Sequence, residues 1–146
     1  MKVRDHIIYS ALAGAVLFYL FGWPSLLFFL FGFGVDFDHY LYHIFKRRSL
    51  SLPKAYRYFI EIEKKREYSR VKGKYFVLHS LELLALLAAA SLFYRPALFA
   101  LAGTLFHYIL DWSLELYVLG RPLKRFTVLT SIFKKKRIKE SRKKKP

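Results

Sequence analysis

The chain reads as an all-α integral membrane bundle: four transmembrane helices, a short amphipathic surface helix and a basic C-terminal tail. Three observations predict this. First, the composition is 55% hydrophobic with a net charge of +16. Apolar residues fill a few long blocks, and the charges lie between and after them, as in a polytopic membrane protein. Second, the Lys and Arg residues are distributed unequally about those blocks. Third, nine ionisable residues of metal-ligand type sit inside or at the ends of the apolar blocks: His6, Asp36, Asp38, His39, His43, His79, Glu82, His107 and Asp111. A carboxylate at the centre of a membrane helix costs about 2.5–3.5 kcal/mol on insertion scales. Nine such residues in four segments point to a shared polar site between helices.

The elements follow in order. Residues 5–21 form the first expected helix, and it is read as part of the mature protein because no small-residue cleavage site follows it. Gly22-Trp23-Pro24 breaks it, since Pro24 restricts the residue before it and favours a helix start. The second helix is expected over 24–45, with Asp36, Asp38, His39 and His43 in its last third. The surface helix is expected over 53–68, where Tyr56, Phe59, Ile60 and Tyr68 form an apolar stripe among charges. The third span covers 74–94 and stops at Arg95-Pro96. The fourth covers 96–119 and stops at Gly120-Arg121-Pro122, a glycine-then-proline terminator. Residues 1–133 thus make one membrane-embedded domain, and 134–146 a flexible basic tail.

Orientation follows from Lys and Arg. The segment 46–74 holds 11 of them, 121–146 holds 12, and Lys2 and Arg4 lie at the N-terminus. Only Arg95 lies at the opposite ends of the helices. A multi-pass protein of the cell (cytoplasmic) membrane with both termini cytoplasmic is therefore expected. All nine ionisable residues then converge on the cytoplasmic leaflet. The chain has no cysteine, asparagine or glutamine. This excludes disulfides and thiolate metal sites, and the missing amides with abundant lysine give an archaeal or thermophile-like composition.

The spacing suggests chemistry. Asp36, His39 and His43 stand at i, i+3 and i+7 of a helix, His79 and Glu82 at i, i+3, and His107 and Asp111 at i, i+4. Imidazole and carboxylate pairs on facing helices build metal sites in bundles. This donor mixture without sulfur suits Zn, Mn or Fe, and so many candidates favour two divalent ions over one. Such a pair can activate water against a phosphoester. Asp38 or Glu82 is then the catalytic base, or a bridging ligand.

Four blocks resemble motifs of a known family. Gly34-Val35-Asp36-Phe37-Asp38-His39 looks like its PD-x-DH block, Leu78-His79-Ser80 its THS block, and Phe106-His107-Tyr108-Ile109-Leu110-Asp111 its H-xxx-D block. His6 followed by Gly14 and Ala15 resembles the opening block. The family is that of the membrane-bound metal-dependent hydrolases, also described as LexA-binding, inner-membrane-associated hydrolases. It is distantly similar to zinc-dependent phospholipase C and P1 nuclease. The resemblance implies that His6, Asp36, Asp38, His39, His79, His107 and Asp111 ligate metal, with His43 and Glu82 as further candidates. Val35 and Leu78 replace the family's usual Pro and Thr, and neither change removes a ligand.

The expected function is a membrane-embedded metal-dependent hydrolase acting on a phosphoester or lipid-linked substrate at the cytoplasmic face. The alternatives are a non-catalytic metal-binding membrane scaffold and a metal or proton transporter. The expected partners are the bilayer and its anionic head groups, met by the basic loop and tail. Nucleic acid is disfavoured because the tail has no interleaved aromatic platform.

Overall fold

A computed structural model of the chain describes residues 3–65 and 77–119. Among them every regular element is helical: α1 (Val3–Phe21), a 3-10 turn (Trp23–Ser25), α2 (Leu26–Gly34), α3 (Phe37–Arg47), α4 (Leu52–Lys64), α5 (Leu81–Phe93) and α6 (Ala97–Leu119). Two helices are long and apolar enough to cross a membrane, Val3–Phe21 and Ala97–Leu114 within α6. Trp23–Gly34 and Leu81–Phe93 are apolar but shorter. At 1.5 Å per residue, the 13 residues of α5 rise about 20 Å, against a hydrocarbon core of about 30 Å.

The expected helix 24–45 is not continuous. It breaks at Val35-Asp36, where i→i+3 bonds tighten the chain: Asp36 N–H to Phe33 O (3.2 Å), Asp38 N–H to Val35 O (3.3 Å) and His39 N–H to Asp36 O (3.0 Å). Gly32 and Gly34 weaken helix on the upstream side of this turn. The expected helix 74–94 begins later, at Leu81, because Ser80 caps it by accepting from Leu83 N–H (3.3 Å). His79 and Glu82 are therefore not neighbours on one helix face. The surface helix runs Leu52–Lys64; its expected end at 68 and the tail 134–146 lie outside the described residues.

Small residues bring three helices together. Ser10 of α1 meets Gly32 of α2, and Gly14 meets Phe29, so α1 and α2 are antiparallel. Gly103 of α6 meets Phe28, and His107 meets Gly32, so α2 and α6 run in the same direction. A Cβ at Gly103 would fall on the Phe28 carbonyl, and one at Gly32 on the Ser10 side chain. Small residues permit such close approach of helix backbones.

Burial is inverted relative to a water-soluble domain. The fully enclosed side chains include His6, Ser10, Ser25, Ser80, Thr104 and His107. Large apolar residues face outward on every long helix, among them Leu12, Leu20, Leu92, Phe93 and Leu98. The amphipathic α4 is different: Ala55 and Ile62 are buried and Phe59 packs on α3, while Tyr56, part of the expected stripe, is exposed.

Candidate metal centre

The helix directions bring the start of α1, the α2–α3 break, the residues before α5 and the second half of α6 to one end of the bundle. Five side chains meet there. His6 Nε2 is 3.0 Å from Asp111 Oδ1 and 4.0 Å from Asp36 Oδ2. His107 Nε2 is 3.4 Å from Asp111 Oδ2 and 3.8 Å from Asp36 Oδ1. His79 Nε2 is 3.8 Å from Asp36 Oδ1, 3.9 Å from Asp111 Oδ2 and 3.1 Å from His107 Nε2. The His6 and His107 rings stack with centroids 4.0 Å apart. Two groups, His6/His107/Asp111 and Asp36/His79/His107, each hold their donor atoms within 4.8 Å of one another and could bind a metal ion.

Each donor is held by its surroundings. His107 Nδ1 donates to Gly32 O (2.9 Å). That bond fixes the tautomer and leaves the Nε2 lone pair facing the cluster, the usual backing of a metal-binding imidazole. The carbonyl is reachable because α6 packs directly on α2. Asp36 is the residue preceding α3, yet its side chain makes no capping bond. A carboxylate at that position ordinarily accepts from the first-turn N–H groups; here it turns towards the histidines instead. Its Oδ2 is buried and has no hydrogen bond, as is His6 Nδ1. Buried unsatisfied acceptors are costly, and a cation at the cluster would relieve that of Asp36.

Asp38 stands behind the cluster. Its Oδ2 accepts from Leu78 N–H (2.5 Å) and His79 N–H (3.2 Å), and lies 3.5 Å from His79 Nδ1. The carboxylate therefore orients the His79 segment and backs its ring, and it belongs to neither donor group. His39 packs its ring 4.9 Å from His79 and 4.8 Å from Phe59 of α4. Burial, followed by the neighbouring His79, pushes the His39 imidazole down to about 4. Burial likewise lowers His79, partly offset by Asp38. Both rings are thus held neutral near pH 7, the state in which an imidazole can ligate.

Two further candidates belong to neither donor group. His43 is buried against Tyr58 of α4 (5.8 Å), one helical turn beyond His39. Glu82 is half-buried in the first turn of α5 and belongs to neither donor group. One contributor has no ligand-type signal in the sequence. Tyr108 O–H donates to Leu78 O (2.9 Å) and Ser80 O (3.1 Å), pinning the segment that carries His79. Its position next to His107 was the available clue.

Comparison with family models, curated proteins and solved structures finds no match for this chain.

Proposed function

We propose that this protein is a membrane-embedded metal-dependent hydrolase acting on a phosphoester or lipid-linked substrate at the cytoplasmic face. One observation carries the reading. Ligands about 2.0–2.1 Å from a tetrahedral zinc lie about 3.3 Å from one another. Among His79 Nε2, His107 Nε2, Asp36 Oδ1 and Asp111 Oδ2, five of the six separations are 3.1, 3.4, 3.8, 3.8 and 3.9 Å. Asp36 and Asp111 each turn their other oxygen towards His6, at 4.0 and 3.0 Å. These five side chains would together hold one or two divalent ions.

When bound, such ions lower the pKa of water and neutralise charge on a phosphoryl group. The chain's own groups do the rest. Gly32 O holds the His107 tautomer, Asp38 orients His79, and His39 and Phe59 wall off one side. The assignment of Asp38 to orientation leaves Glu82 as the candidate proton acceptor.

The membrane reading rests on the apolar exterior and polar interior, and on helices apolar on all sides. In this reading α1 and α6 are full spans, α2 and α5 shorter ones, and the Lys and Arg bias puts both termini in the cytoplasm. The shared direction of α2 and α6 agrees with that path. A transporter is disfavoured, because 12–21 of α1 and 97–105 of α6 carry no charged residue and offer no polar route through the other leaflet.

The test is metal content of detergent-purified, tag-free protein by mass spectrometry, together with hydrolysis of bis-p-nitrophenyl phosphate and short-chain phospholipids under Zn, Mn or Fe. Bound metal and a chelator-sensitive activity, both lost in His107→Ala, are expected. Metal without activity on any phosphoester would favour the scaffold. No metal after reconstitution would overturn the reading.

A further inference from the structure

Between the end of α3 and the start of α4 lies an open cavity of about 420 Å³, lined by Arg47, Lys54, Arg57, His43, Tyr58 and Glu61 among others. That volume is within the range of small-molecule sites, about 300–1,000 Å³. It is separate from the metal-binding residues: none of its lining residues belongs to either donor group.

Its charge is unbalanced. Three cationic side chains face one cavity, and none has an ion-pair partner among the described residues. The one acid of the lining, Glu61, is already paired with Lys65 Nζ at 2.6 Å. Like charges held together repel one another, and an anion between them removes that cost. Two of the cations are also oriented. The Arg47 guanidinium lies over the Tyr58 ring at 5.1 Å, and Arg57 Nε donates to Pro53 O (3.4 Å). Planar guanidiniums so placed recognise phosphate through paired N–H donors. At the cavity wall is His43, 4% exposed, whose Nδ1 has no hydrogen-bond partner. A buried polar nitrogen without a partner, beside three cations, marks a place for a polar ligand.

We propose that this cavity is a phosphate-binding site, formed by Arg47, Arg57 and Lys54 with His43 at its wall, which takes the phosphate group of a lipid head group or of a soluble phosphate compound. It does not depend on the metal centre, so its failure and that of the hydrolase reading are separable.

The experiment is calorimetric titration of metal-stripped full-length protein, in EDTA and a neutral detergent. The probes are dioctanoyl phosphatidic acid and, separately, inorganic phosphate. Two double variants are compared, Arg47→Gln/Arg57→Gln at the cavity and Lys143→Gln/Lys144→Gln in the basic tail, which remove equal charge. All four side chains can be altered with little risk to folding, since Arg47 and Arg57 are exposed and the other two lie in the hydrophilic tail. Saturable one-to-one binding is expected, weakened at least tenfold in the cavity variant and less than twofold in the tail variant. Binding of both probes in mutual competition assigns the site to the phosphate group itself. Binding of phosphatidic acid that phosphate does not displace assigns it to a lipid head group. Absent saturable binding, or equal losses in the two variants, would overturn the proposal.

Discussion

Asp38→Asn separates a carboxylate that binds metal from one that positions a ligand. Asp38 Oδ2 accepts from the backbone N–H groups of Leu78 and His79 and lies 3.5 Å from His79 Nδ1. Asparagine keeps the shape and one acceptor oxygen, so both backbone bonds can persist, but the charge is lost. Hydrogen bonds to a charged group contribute about 1.5–3 kcal/mol and neutral ones about 0.5–1.5 kcal/mol. The segment before α5 should therefore loosen by about 1–2 kcal/mol without unfolding. For metal, loss of an outer-shell partner typically costs 10–100-fold in affinity, about 1.4–2.8 kcal/mol. The assay is zinc competition against a chromophoric chelator in detergent, with His107→Ala as the reference for outright loss. A 10–100-fold weakening in Asp38→Asn with unchanged stoichiometry is expected. Metal loss as complete as in His107→Ala would make Asp38 a ligand and refute the positioning role. Affinity within twofold of wild type would refute any role at all.

Other outcomes follow from the same geometry. Gly103→Ala sets a Cβ against the Phe28 carbonyl; backbone cannot yield cheaply, so a loss of about 1–3 kcal/mol should appear as a lower melting temperature in detergent, and an unchanged one would disprove the close α2–α6 approach. Tyr108→Phe removes the donor shared by Leu78 O and Ser80 O and should cost about 1–3 kcal/mol, with zinc affinity falling alongside; unaltered zinc binding would show that the segment holds His79 without it. Folded His39 takes its proton only near pH 4, against 6.5 when unperturbed, so the unfolded chain binds more protons between these values. Metal-free protein should lose the His39 contribution to stability as pH falls from 6.5 towards 4; a melting-temperature profile across that window unchanged by His39→Phe would contradict this.

Much of the arrangement was legible in the sequence, and the exceptions have physical causes. Chain direction and the gathering of His6, Asp36, His79, His107 and Asp111 at one end could be read from apolar blocks and ionisable residues alone. Spacing within a block was a poorer guide, because it presumes one continuous helix. The i, i+3, i+7 pattern of Asp36, His39 and His43 suggested one shared face, yet a turn stands at Asp36, and His43 ends against Tyr58 of α4. The i, i+3 pairing of His79 with Glu82 failed for a related reason. Ser80 caps α5 and leaves His79 outside the helix. Backbone partners were not legible at all. That His107 would donate to Gly32 O depends on how closely α6 approaches α2, which small residues permit but no spacing rule specifies.

The turn at Val35-Asp36 separates the roles of two neighbouring carboxylates. A continuous helix would direct Asp36 and Asp38, two residues apart, to faces about 200° apart. Only Asp36 faces the cluster. With the turn in place, Asp36 meets His6, His79 and His107 at 3.8–4.0 Å, while Asp38 meets the backbone that carries His79. One short stretch thus supplies both a donor and the support of another donor from a different segment. The apolar run ends at Gly34, and α3 continues as an amphipathic helix against which α4 packs. Alanine at Gly32 would set a Cβ against Ser10 and disturb the metal cluster through the α1–α2 contact, whereas changes at Arg57 would touch only the cavity.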